Sequence, residues 1–186
     1  VRAARALADD RARLAQMFEE APGFIVVLRG RDHVVELANR AFRDLIGERE
    51  GGIVGRAARD VLPEIATQGY LERLDAVWAS GESYRENGSA ARLRRRRDAE
   101  AETRYVDFLF QPLVDATGAV TGVFVQGTDV TDRHRAERAL ALSRESLELA
   151  AEAAGIGTWD IHLPERQSLW SGRAKAIYGF APDHPM

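Results

Sequence analysis

Hydrophobic positions along the chain fall into short blocks with different periods. From Ala3 to Glu20 the residues are rich in Ala, Arg and Leu without Gly or Pro, and Leu7, Leu14 and Met17 recur at helical spacing, which predicts an amphipathic helix. Pro22-Gly23 ends it. Two apolar runs, Phe24 to Leu28 and His33 to Ala38, flank Gly30-Arg31-Asp32 and predict a hairpin. Asn39 then stands before Arg40 to Ile46, and Gly47 follows, so an asparagine caps a two-turn helix and a glycine closes it, with Phe42, Leu45 and Ile46 facing inward. Residues 51–63 hold glycines and short helical pieces. A stronger helix runs from Tyr70 to Ala79 with Leu71, Leu74, Val77 and Trp78 on one side, stopped by Gly81.

Three more strands are expected near Tyr84 to Arg94, Arg104 to Leu113 and Val120 to Thr128, the last two joined by the turn Asp115-Ala116-Thr117-Gly118. Strict alternation points Phe24, Val26, Leu28, Val35, Leu37, Val106, Phe108, Phe110, Val123 and Val125 toward Phe42, Leu71, Leu74 and Trp78. These residues are the candidate core and the candidate wall of any ligand pocket. Because an unpaired buried charge is costly, such a wall predicts a small apolar or aromatic ligand, or none, ahead of a dicarboxylate.

Asp129-Val130-Thr131-Asp132 marks another helix start, and the helix extends to about Ala154. Leu140, Leu147 and Ala154 are seven apart, with small residues four before each; Leu142 and Leu149 offer a rival register. Either a two-chain coil or a helix lying on its own domain fits this. Asp129 and Thr131 are expected to pin the helix to the preceding strand, and the stripe of Leu140 and Leu147 to carry a signal along it.

An internal repeat appears at an offset of 132 residues, which lays Gly155 over Gly23, Ser171 over Asn39 and Gly179 over Gly47. The long helix would then be the exit from one unit and the entry to a second, incomplete one. The partition expected is a flanking helix at 1–20, a domain at 21–131, a connecting helix at 132–154 and the start of a second domain at 155–186, with the natural protein continuing beyond Met186.

With 186 residues, 45% hydrophobic and 30% charged, the chain suits a folded domain with some extra, not disorder. No apolar run approaches the ~20 residues of a membrane span. The absence of cysteine excludes disulfides and thiol chemistry and fits a cytoplasmic location. A net charge of −3 does not point to nucleic acid, and the basic run Arg92 to Arg97 is followed by Asp98, Glu100 and Glu102, which screen it. No two of the four histidines share the i, i+4 spacing of a metal pair, His134 reads as a solvated helix residue, and no nucleophile–base pairing or phosphate-binding glycine loop is present. The chain is not expected to be an enzyme.

The order of elements, together with Ala38-Asn39-Arg40-Ala41-Phe42, Gly47, Gly118 and Gly127-Thr128-Asp129-Val130-Thr131, resembles the PAS family over residues 20–132 in full and 154–180 in part. The resemblance implies an α+β fold: a five-stranded antiparallel sheet with helices on one face, a pocket between them, and flanking helices that form a homodimer and pass a signal to an output domain in the same parent chain. Thr131 to Glu137 looks like the stretch after PAS domains in bacterial sensor kinases and cyclases, so a histidine kinase is the expected output, with a cyclase, a transcription factor or a free-standing ligand-binding or catalytic protein as alternatives. The cofactor is left unknown. Flavin photochemistry through a cysteine adduct is excluded, haem on a histidine of the Tyr70 to Ser80 helix is not expected, and non-covalent flavin remains open with Trp78 or Tyr105 as stacking candidates.

Overall fold

The computed structural model describes residues 2–47, 49–95, 99–162, 167–181 and 183–184, in two units, 1–134 and 135–186. Arg96 and Arg97 of the basic run, Asp98 that follows it, Met186, and the side chains of Leu7 and His162 lie outside the described residues. In the first unit, helix α1 (Arg2–Glu19) precedes β1 (Phe24–Arg29) and β2 (Val34–Ala38), then α2 (Arg40–Ile46), the one-turn α3 (Ala58–Val61), a 3-10 turn (Pro63–Thr67) and α4 (Tyr70–Ser80). Strands β3 (Tyr84–Leu93), β4 (Glu102–Val114) and β5 (Val120–Asp129) complete an antiparallel sheet of order β2-β1-β5-β4-β3, and α5 (Thr131–Ala153) follows.

Alternation builds the sheet's inner face. Phe24, Val26 and Leu28 on β1, Val123 and Val125 on β5, and Val106, Phe108 and Phe110 on β4 are all buried. Helix α4 buries Tyr70, Leu74 and Val77, the i, i+4, i+7 stripe of one helical face, against that layer. Truncating Leu74 to Ala at such a site costs ~2–5 kcal/mol.

Leu37 departs from the sequence expectation: it is 50% exposed. The pairing of β1 with β2 runs Val27↔Leu37 and then Leu28↔Val35, leaving Glu36 as an extra residue. That bulge reverses the phase of the strand, so Val35 and Ala38, three apart, both face the core and Leu37 turns outward. A second irregularity at Asn87-Gly88 of β3, with Gly88 at φ +64, restores an inward phase for Ser89, Ala91 and Leu93.

Asn39 ties the first hairpin to α2 and is fully buried. Its Oδ1 accepts from the amides of Phe42 (3.0 Å) and Ile25 (2.8 Å), and its Nδ2 donates to the Gly23 carbonyl (2.8 Å). One side chain thus caps a helix and fixes the strand beside it. Gly47 ends α2 at φ +73, and a Cβ there would collide with the backbone of Arg95.

The second unit contains β6 (Trp159–His162) paired antiparallel with β7 (Gln167–Trp170), then α6 (Gly172–Ile177). Trp159, Ile161, Leu169 and Tyr178 are each more than half exposed.

Candidate functional site: an apolar cavity and the root of the long helix

Between the sheet and the helices lies a cavity of ≈ 100 Å³. Ten of the residues expected from alternation line it: Phe24, Val26 and Leu28 of β1, Val35 of β2, Phe42 of α2, Leu74 of α4, Val106, Phe108 and Phe110 of β4, and Val125 of β5. Four do not. Leu37 is turned out by the bulge, Val123 is buried in the core away from the cavity, and Leu71 is half-buried and packs on the edge of the core. Trp78 is half-buried and meets His33 edge-on, ring centroids 6.4 Å apart. It is Val77, its neighbour on α4, that points into the core. Neither Trp78 nor Tyr105 therefore lines the cavity.

The remaining wall comes from segments that alternation does not reach. Ala58, Val61, Leu62 and Ile65 cover one side. Their spacing is i, i+3, i+4, i+7, a helical stripe legible in the sequence but interrupted by Pro63, which splits it into α3 and the 3-10 turn. Ala91 and Leu93 join after the β3 bulge has re-phased that strand.

Tyr70 contributes its ring to the wall, and its hydroxyl is satisfied by the hydroxyl of Ser89 at 3.0 Å. Burial pushes the Tyr70 phenol above its ordinary pKa, so it is neutral at physiological pH. The wall thus presents no charge and no unpaired polar atom to an occupant. For scale, a dry apolar cavity of ~150 Å³ holds benzene.

His33 sits in the hairpin turn at φ +52, a left-handed conformation uncommon outside glycine, and is buried. Its Nε2 lies 2.9 Å from Asp75 Oδ1 on α4, and its carbonyl accepts from the Ala58 amide at 3.0 Å. The turn is thereby fastened to α3 and α4, which cover the cavity. Among the described residues no cluster of His, Asp and Glu could hold a metal ion.

The far ends of β4 and β5 meet the first turn of α5. Thr131 is 1% exposed; its Oγ1 accepts from the Tyr105 amide (2.9 Å) and donates to Asp129 Oδ1. Asp129 Oδ1 also accepts from the Thr131 amide (2.9 Å), and its Oδ2 from Arg104 Nη1 (3.1 Å). Partial burial pushes the Asp129 carboxyl up, but the Thr131 bonds and the Arg104 guanidinium outweigh it and hold the group below the usual carboxylate range. The Val130 amide donates to the Tyr105 carbonyl at 2.8 Å, and Arg133 Nη2 to Asp107 Oδ2 at 2.9 Å. His134 is not freely solvated: its ring stacks on Tyr105 with centroids 3.6 Å apart. Tyr105 and Asp107 alternate on β4 with Val106 and Phe108, so the strand that holds the helix root is also a wall of the cavity.

Farther along α5, Leu140 and Leu147 are 56% and 67% exposed, and Leu142 and Leu149 are similarly open. Both heptad registers are therefore exposed among the described residues of the second unit. Leu14 and Met17 of α1 are exposed as well.

A sequence profile described as the PAS fold matches residues 18–135. Among solved structures, the chain is similar to the PAS domain of BvgS from Bordetella pertussis, at 23% identity and TM-score 0.52 over 74% of this chain and 97% of that one. It is also similar to an RNA-binding light-oxygen-voltage receptor (23%, TM-score 0.54, 73% and 37%) and to VqmA of Vibrio cholerae (21%, TM-score 0.53, 66% and 52%). The chain spans well under two thirds of the length of these last two, and at such identities the likeness is one of fold.

Proposed function

The chain belongs to the PAS fold family, and from that premise we propose that it is a sensory module in which occupancy of the apolar cavity is passed through the root of α5 to an output domain. The observation that carries this is the double use of β4: Val106, Phe108 and Phe110 wall the cavity, while Tyr105, next to Val106 on the same strand, holds Thr131 and Val130 through its backbone amide and carbonyl. A ligand that spreads the cavity moves β4, and β4 cannot move without loading four hydrogen-bonded groups at the start of the helix. The ligand class is a small apolar or aromatic molecule, because the wall offers nothing to pair with a charge. A histidine kinase is the output this reading favours. No helix among the described residues is long and apolar enough to cross a membrane.

A homodimer through α1 and α5 belongs to the same reading, since Leu14, Met17, Leu140 and Leu147 leave apolar stripes on both helices uncovered. So does a second PAS copy beginning after α5. In support of it, Ser171 caps α6 by accepting from the Ala174 amide (3.2 Å) and also accepts from the Thr158 amide (2.9 Å), the double role that Asn39 plays in the first unit. These bonds equate Thr158 with Ile25, one residue away from the ungapped offset. The first hairpin carries the extra Glu36, whereas β6 and β7 pair without interruption from Trp159↔Trp170 to His162↔Gln167.

Mass spectrometry of an organic extract of the purified chain tests the ligand reading. A small neutral apolar or aromatic compound in near-stoichiometric amount is expected. A carboxylate or other anion held inside the cavity would overturn it.

A further inference from the structure

The irregular residues of β3 are an asparagine followed by a glycine. Glu86 pairs with Phe108 and Ser89 with Val106, so Asn87 and Gly88 both stand opposite Asp107. This is the one Asn-Gly step in the sequence; the other asparagine, Asn39, precedes Arg40 and is fully buried. Asn87 is exposed, and no hydrogen bond holds its side-chain amide among the described residues. It lines an open concavity of ≈ 330 Å³ on the outer face of the sheet, together with Asp107, Gln126 and Thr128, so water reaches it.

The side-chain Cγ of an asparagine can be attacked by the backbone nitrogen of the next residue, closing a succinimide ring. A Cβ on that next residue obstructs the approach. Gly88 has none, stands at φ +64, and has nothing within 4 Å of where a Cβ would lie. The nitrogen attacks only after losing its proton, and in the folded chain that proton is held. Gly88 N–H donates to Asp107 Oδ1 at 2.6 Å. A hydrogen bond made by the protonated form, and a carboxylate beside the nascent anion, both oppose ionisation of the nitrogen. Asp107 is itself held from the other side, its Oδ2 accepting from Arg133 Nη2 at 2.9 Å.

We infer that Asn87-Gly88 is a self-modification site kept latent by Asp107. When the bond to Asp107 opens, hydroxide takes the Gly88 amide proton and the nitrogen attacks Asn87 Cγ. The new C–N bond forms, the Cγ–Nδ2 bond breaks, and ammonia leaves with a proton from water, which returns the hydroxide. Water then opens the succinimide at one of its two carbonyls. Cleavage at Cγ leaves aspartate, and cleavage at the main-chain carbonyl leaves isoaspartate, whose backbone runs through Cβ and Cγ. The isoaspartate lengthens the chain at the bulge that sets the inward phase of Ser89, Ala91 and Leu93. Ser89 satisfies the Tyr70 hydroxyl, and Ala91 and Leu93 line the apolar cavity. Either product also places a carboxylate beside Asp107. Modification therefore acts on the cavity wall and on the group that holds Arg133.

The test incubates the 186-residue chain in mildly alkaline buffer at physiological temperature and follows the tryptic peptide Glu86–Arg92 by liquid chromatography and mass spectrometry. Asp107→Ala, shown to be folded by circular dichroism, is expected to convert about tenfold faster than wild type or more, the rate equivalent of one hydrogen bond to a charged group. Asp107→Asn keeps an acceptor oxygen and is expected to stay within about threefold of wild type. The peptide carrying Asn39 stays unmodified in every folded variant. Should Asp107→Ala fail to fold, the wild-type Gly88 amide decides, because base-catalysed hydrogen exchange removes the same proton: exchange slowed about tenfold or more against the unfolded chain is expected. No conversion in the chain unfolded in guanidinium chloride, equal rates in wild type and folded Asp107→Ala, or an unprotected Gly88 amide overturns the proposal and leaves the reading of the apolar cavity untouched.

Discussion

Replacing Thr131 by valine preserves the shape of a side chain that is 1% exposed and removes only its polarity. Two bonds go: the one that Oγ1 accepts from the Tyr105 amide at 2.9 Å, and the one it donates to Asp129. The Tyr105 N–H is left with no acceptor at a half-buried position, a loss of ~1–3 kcal/mol. Asp129 keeps the Thr131 amide and Arg104, so the second loss falls at the low end of the charged range, ~1.5 kcal/mol. The sum, about 2.5–4.5 kcal/mol, corresponds to a fall in urea midpoint of about 1.2–2.2 M at a slope of ~2 kcal/mol/M. Thr131→Ser keeps the hydroxyl and deletes one methyl, for ~1 kcal/mol. Urea unfolding followed by Trp fluorescence measures both variants. A Thr131→Val midpoint within ~0.25 M of that of Thr131→Ser would refute the claim that this hydroxyl fastens the helix to the sheet.

Asn39→Ala should cost ~3 kcal/mol or more, since three backbone groups, one buried and two part-buried, lose their partner, and Asn39→Asp, which retains the acceptor, should recover part of it in the same unfolding assay. Asp129 has its pKa depressed in the folded chain, so its contribution is complete above the unfolded value near ~4 and is lost as pH falls through the folded value; Glu64 and Glu86, also depressed, act in the same window. Asp129→Asn should therefore flatten the acid limb of stability between about pH 5 and pH 2 by one proton's worth, read from urea midpoints across that range. Leu140→Glu with Leu147→Glu should convert the proposed dimer to a monomer by sedimentation while leaving the unfolding midpoint of the first unit in place; a wild-type chain that sediments as a monomer at high concentration contradicts the dimer.

Much of the fold was legible because alternation and capping are local. Asn39 before Arg40 and Gly47 after Ile46 announce α2 with its caps, and Val106, Phe108 and Phe110 announce the inner face of β4. What escaped was phase. One extra residue, Glu36, sends Leu37 to solvent and brings Ala38 inside, and nothing in the composition of Val34 to Ala38 marks which residue will be extra. Trp78 illustrates a similar limit: the α4 stripe places it beside Val77, and only the packing of His33 from the hairpin turn decides that Trp78 lies at the rim. The wall from Ala58 to Ile65 carried a readable stripe, masked by Pro63.

Under the proposed relay, cavity occupancy is felt at the start of α5, and hydrogen–deuterium exchange with and without saturating benzene measures it. Ala91→Leu, which fills much of the ≈ 100 Å³ with its added carbons, serves as the blocked control. Coupling predicts that benzene slows exchange at the amides of Tyr105 and of His134 in the first turn of α5, by threefold or more in wild type and not at all in Ala91→Leu. Slowing confined to the cavity wall, with Tyr105 and the first turn of α5 unchanged, would contradict it.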